Sequence, residues 1–226
     1  PNDVVLVEAP SYVGALGTFH QYEGKVVHVA MDNDGLIPDA LREAIKVTRT
    51  NGHKIKFLYL IPNYQNPAGV LLSPERRSEI LDICREEKIF VIEDNPYGLL
   101  GFDKPSPNAM RAEDSENVIY LGSFSKTIAP GFRVGWALVP PSIKEKVVIA
   151  SESSILCPSN FAQMYILLSF HHTTHKIITE RSIYSAYHVF SKISNPVSYE
   201  DKILDECYFK YYNIIVSSLP KHEMIF

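Results

Sequence analysis

Val118-Ile-Tyr-Leu-Gly-Ser-Phe-Ser-Lys-Thr-Ile-Ala-Pro-Gly-Phe-Arg-Val-Gly135 is the stretch on which the reading of this chain turns. Its first four residues form an apolar run of the kind that makes a buried strand. The run ends in two hydroxyls, Ser123 and Ser125, and then Lys126. Pro130 and Gly131 turn the chain, and Arg133 precedes a second apolar run. Lysine forms a Schiff base with a carbonyl, while serine and arginine hold a phosphate, so the set suits a phosphorylated aldehyde cofactor. Serine and lysine are also ordinary loop residues, and a strand-to-loop turn with a solvated lysine is the plain alternative.

Outward from this stretch, strands and helices alternate. Strands are predicted at Asp3–Glu8, Lys25–Ala30, Ile55–Ile61, Ile89–Ile92, Val118–Leu121 and Val134–Val139. A helix is predicted from Leu36 to about Thr50, closed by Asn51-Gly52. A second has Ser73 as its cap and Pro74 in its first turn and ends near Lys88, and a third is capped by Ser142 and runs to about Ser154. Asp103 to Asn117 reads as a polar surface loop. Helical stretches are expected from Met164 to about Lys192 and from Asp201 to Ser218. The alternation predicts an α/β architecture, a mainly parallel sheet flanked by helices, in which ligands sit at the carboxyl ends of strands. Three loops at such ends, 62–69, 93–98 and 122–133, carry the unusual polar residues. Their convergence points to one site and favours the cofactor reading of Lys126.

Two of those loops supply further candidates. Asp94 follows an apolar strand and a Glu, and a carboxylate there can hold a protonated ring nitrogen, turning a pyridinium into an electron sink. An Asp capping the Asn-Pro turn is the alternative. Tyr97, three residues on, and Asn66 in Asn66-Pro-Ala-Gly69 can hydrogen-bond a ring oxygen; an ordinary half-buried Tyr and turn chemistry are their plain readings. Tyr12 is a weaker candidate for lining the pocket.

Composition narrows the class. The 226 residues are 46% hydrophobic and 21% charged with a net charge of -4, ordinary for a soluble globular protein. No basic cluster with interleaved aromatics supports nucleic-acid binding, and no apolar run reaches membrane-spanning length. Cys84, Cys157 and Cys207 show neither metal spacing nor a disulfide framework, which suggests a reducing, cytoplasmic setting. His171 and His175 have helical i,i+4 spacing, but a metal site needs more ligands, and none is expected. Ser125 stands where a phosphate-loop motif needs Gly before its lysine, and no G-x-G-x-x-G follows a strand.

Asn66-Pro-Ala-Gly69, Asp94-x-x-Tyr97, Ser123-x-Ser125-Lys126 and Pro130-Gly131-x-Arg133, in this order, resemble the class I/II aminotransferases. Ile92-Glu-Asp-Asn-Pro-Tyr-Gly-Leu-Leu100 and Ser73-Pro-Glu-Arg-Arg77 look most like their aminoadipate-type, multi-substrate branch. The resemblance covers about residues 1–165, leaving 166–226 as a divergent helical tail that begins a smaller domain. It implies a fold type I large domain binding pyridoxal 5'-phosphate, and amino transfer from an amino acid to a 2-oxo acid. Lys126 would form the Schiff base and shuttle a proton, and Asp94 would pair with the ring nitrogen. Tyr97 and Asn66 would bond the ring oxygen, and Ser123, Ser125 and Arg133 would hold the phosphate. A homodimer with its site at the subunit interface is also implied. The family's glycine-containing phosphate loop and its carboxylate-binding arginine have no match here, so the chain reads as the family's core cut at both ends. A lyase or decarboxylase on the same scaffold, and a non-catalytic sensor domain or inactive fragment, are the alternatives.

Overall fold

The computed structural model describes residues 2–101, 105–172 and 224–225. The chain divides into two compact units, one of Pro1–Asn95 with Glu113–Tyr120, the other of Pro96–Ala112 with Leu121–Phe226.

The first unit is built on β1 (Val4–Ala9), whose Val4, Val5, Leu6 and Val7 are all buried. A strand apolar on both faces belongs inside a parallel sheet covered by helices on either side. β1 pairs in parallel with β2 (Lys25–Asp32) on one side and β4 (Ile55–Leu60) on the other. β4 pairs in parallel with β5 (Phe90–Asp94), and the short β3 (Gly35–Leu36) lies antiparallel on β2. The strand order here is β3-β2-β1-β4-β5-β6, where β6 is Val118–Ser123. The chain leaves β1 for β2 on one side and later places β4 on the other. The order therefore reverses between β1 and β4, and their carboxyl ends border the crevice where such sheets bind ligands.

Three helices belong to this unit: α1 (Val13–Gln21), α2 (Pro38–Thr50) and α3 (Pro74–Glu86). α2 starts at Pro38 rather than at Leu36, which lies in β3, and buries Leu41, Ile45 and Thr48; α3 buries Ile80, Leu81 and Cys84 as expected, and Arg77 with them. The predicted cap of α3 is in place, with Ser73 Oγ accepting from Arg76 N at 3.4 Å. α1 was not foreseen: no helix or strand was assigned between Glu8 and Lys25. It holds Gly14 and Gly17, has no side-chain cap bond and buries no residue, so neither propensity nor an apolar stripe marks it.

In the second unit, β7 (Gly135–Leu138) pairs antiparallel with β8 (Met224–Ile225), and α4 (Pro141–Ile155) and α5 (Asn160–His172) follow β7 in the chain. α4 starts one residue before the predicted cap: Pro140 holds the cap position and Pro141 the first turn, which proline's fixed φ suits. Gly122 gives way to the Trp136 ring, since a Cβ there would stand 2.3 Å from the indole. Trp136 in turn packs on Phe124, centroids 4.6 Å apart.

The 103–117 segment is more than a surface loop. Residues 110–112 form a 3-10 turn, and Met110 and Arg111 are buried. In the first unit Asp114 accepts from Asn117 N at 3.1 Å and from Arg85 at 3.2 Å. Of the tail assigned to 166–226, only 166–172, the end of α5, and 224–225, β8, are described; the helices expected beyond residue 172 lie outside the described residues, as does His175.

Candidate active site

In the first unit the polar residues gather at the carboxyl ends of β1, β4 and β5. Glu8, on the otherwise apolar β1, is buried and accepts from Ile61 N at 2.9 Å and from Gln65 Nε2 at 3.3 Å. Burial pushes its carboxyl up to about 7, against the two bonds that favour the ionised form. Gln65 also donates to Pro10 O at 2.8 Å and accepts from Ala68 N at 2.9 Å. The other end of this loop is held by Arg77, a guanidinium buried on the apolar face of α3. It donates to Leu72 O (3.0 Å), Pro62 O (2.9 Å) and Asn63 Oδ1 (2.7 Å), and Asn63 Nδ2 donates to Asn95 Oδ1 at 3.0 Å. Burial lowers the pKa of Arg77, partly offset by Glu93 and Glu113. Buried polar groups are tolerated because they are bonded in this way. The result is a loop, 61–72, fixed from β1 and from α3, with half-buried Asn66 in its middle.

Asp94 is the last residue of β5, two positions later than the strand end read from the sequence at Ile92. Its Oδ2 accepts from Tyr59 Oη on β4 at 2.5 Å. Burial raises the Asp94 carboxyl pKa, and the Tyr59 bond works in the opposite direction. A half-buried carboxylate whose partner is a phenol can accept a cation at its other oxygen, and a protonated ring nitrogen is one such cation.

The second unit carries the remaining predicted residues. Tyr97 is half-buried, and its carbonyl accepts from Leu100 N at 2.8 Å. β6 ends at Ser123, and Phe124 O accepts from the N–H groups of Thr127, Ile128 and Ala129, closing a turn with Lys126 exposed on it. Ser125 N donates to Ser123 Oγ at 3.1 Å, and Arg133 Nη1 lies 3.4 Å from both Ser125 Oγ and Pro130 O. Arg133 has a left-handed backbone, φ 52°, uncommon for a side-chain-bearing residue outside a site that requires it. No Asp or Glu occurs between Asn117 and Lys144. Two cations and two hydroxyls with no carboxylate among them form a donor set for an oxyanion. The residues of this turn thus fit a phosphate group.

The structure therefore brings Ser123, Ser125, Lys126 and Arg133 together in one turn region of the second unit, and Asn66 and Asp94 at the strand ends of the first. Sequence reasoning passed over Glu8, Tyr59, Gln65 and Arg77. Two of them left a signal. Glu8 interrupts a run of buried apolar residues, and Arg77 shares helical spacing with Ile80, Leu81 and Cys84.

Residues 1–181 match the family described as aminotransferase class I and II. The chain is 41% identical over 165 residues to aromatic-amino-acid aminotransferase 1 of Thermococcus litoralis, an overlap of 73% of this chain and 40% of that protein. It is 34% identical over 147 residues to the HTH-type transcriptional regulator YisV of Bacillus subtilis, covering 65% of this chain and 29% of the regulator. Among solved structures, the Pyrococcus horikoshii kynurenine aminotransferase in complex with PMP superposes with a TM-score of 0.72 at 35% identity, over 85% of this chain and 46% of that one. The chain thus spans less than half the length of these relatives. With the match running through 181 of 226 residues and the motifs falling on the strand ends and turn just described, the chain belongs to the class I and II aminotransferase family.

Proposed function

We propose that this chain is the cofactor-binding core of a pyridoxal 5'-phosphate-dependent aminotransferase that moves an amino group from an amino acid to a 2-oxo acid. The observation that carries the reading is the Ser123–Ser125–Lys126–Arg133 turn, an oxyanion donor set with a primary amine at its centre. When bound, the cofactor supplies a carbonyl that condenses with amines and a protonated ring that takes up electron density from the neighbouring carbon.

The chain's own residues divide the work. Ser123 Oγ, Ser125 and the Arg133 guanidinium hold the phosphate. Lys126 Nζ, exposed to solvent, would be the amine that condenses with the cofactor's carbonyl, the oxygen leaving as water, and once released would serve as the group that accepts and returns a proton. Asp94 keeps a proton on the ring nitrogen by pairing with it. Tyr97 and Asn66 donate to the ring oxygen and orient the ring. A homodimer belongs to the same reading, and exposed apolar side chains on and just after α4, Ile149, Ile155 and Leu156, are compatible with it.

The test is label transfer. With cofactor, a 15N-labelled amino acid and a 2-oxo acid, the new amino acid carries the label. Release of CO2 without label transfer identifies a decarboxylase. Similarity to a protein described as an HTH-type transcriptional regulator supports a second reading, a sensing domain, and cofactor binding without turnover of any kind is its signature.

A further inference from the structure

Tyr59 is buried, and its phenol donates to Asp94 Oδ2 at 2.5 Å. Its ring is held in turn by Phe19 of α1, edge to face with centroids 5.4 Å apart, and Phe19 meets Phe57 in the same way at 5.6 Å. The groups facing the phenol are acidic or phenolic: Asp94 from β5, Glu8 from β1 and Tyr12 beyond β1. Burial and these neighbours raise its pKa far above the usual phenol range, so Tyr59 remains a neutral donor throughout the working pH range. Among the described residues no lysine or arginine shifts Asp94; burial and Tyr59 alone do.

We propose that Tyr59 is the positioning residue for Asp94: clamped by Phe19, its hydroxyl holds one carboxylate oxygen and leaves the other to meet a cationic ring nitrogen. The proposal rests on the cofactor reading above. A carboxylate has two oxygens, and without a second partner it can rotate or take up a proton in its buried position. Tyr59 opposes both. Its bond favours the ionised form, so its removal lets Asp94 take up a proton at higher pH, and a neutral Asp94 no longer pairs with a pyridinium.

The experiment compares wild type, Tyr59→Phe and Asp94→Asn. Each is titrated with pyridoxal 5'-phosphate across neutral pH, following the dissociation constant and the visible absorption band. Phenylalanine keeps the ring against Phe19 and removes only the hydroxyl. Tyr59→Phe is expected to bind about tenfold more weakly, the effect of one bond to a charged group. Its loss should grow toward acid pH, and its acid limb should move to higher pH than in wild type. Asp94→Asn should be weak at every pH, with no acid limb. If Tyr59→Phe matches wild type in affinity and pH profile while Asp94→Asn is impaired, the proposal is overturned and the cofactor reading stands. If Asp94→Asn also matches wild type, both are overturned.

Discussion

Glu8 couples the chain's stability to pH. Its carboxyl rises from an ordinary 4.5 to about 7 in the folded state. The folded chain thus binds this proton more tightly than the unfolded chain. The stability it contributes is complete below the unfolded value and is lost as pH rises through about 7, for a total of about 3 kcal/mol. Glu8→Gln keeps an acceptor for Ile61 N and cannot ionise. Denaturant unfolding at pH about 5 and about 8 should show a loss in wild type that the variant lacks; parallel behaviour of the two would place the coupling elsewhere. At Asp94 the expected outcome is functional. In any active form of the protein, Asp94→Ala should lose most turnover, a cost of several kcal/mol, because the ion pair it removes is desolvated. Near-normal rates in that variant would leave Asp94 as the cap of the Asn95-Pro96 turn.

At the scale of elements, the sheet and the turn that follows β6 make separate demands. Leu58 is fully buried on β4, between β1 and β5, and Leu58→Ala should cost ~2–5 kcal/mol in chemical denaturation. Gly122→Ala places a methyl against the Trp136 indole, at a cost of ~1–3 kcal/mol, and displaces Ser123 next to it. Cofactor affinity should therefore fall together with stability. Gly131→Ala, whose Cβ meets nothing within 4 Å, is the control and should change neither. These elements differ in how far the sequence announced them. Strands inside the sheet carry apolar runs, so β1, β4, β5 and β6 could be found from composition, and α2 and α3 from their apolar stripes. α1 offered two glycines and no stripe, and the 3-10 turn at Met110 sat among prolines and charges. The site shows the same contrast. Lys126 and Asn66 stand in loops, and Asp94 at a strand's end, where polar residues are visible. Tyr59 and Gln65 act through tertiary hydrogen bonds that chain spacing does not encode.

At the scale of the whole molecule, the two described cysteines report on different parts of the chain. Cys157 is exposed, whereas Cys84 is buried on α3 with its thiol pushed up to about 12 by burial. A thiol reagent under native conditions should modify Cys157 promptly, and Cys84 only at the rate at which the first unit opens. Equal rates would mean that α3 is not held as described. Among the described residues no helix is long and apolar enough to cross a membrane. The proposed activity depends most heavily on one amine, exposed on the turn after β6 between two serines and an arginine. Borohydride reduction of the protein with pyridoxal 5'-phosphate, followed by digestion and peptide mapping, tests that assignment most directly. The cofactor should be found on the peptide containing Lys126, and Lys126→Ala should retain its fold and lose the adduct; an adduct on any other lysine, or one that survives Lys126→Ala, would contradict the assignment.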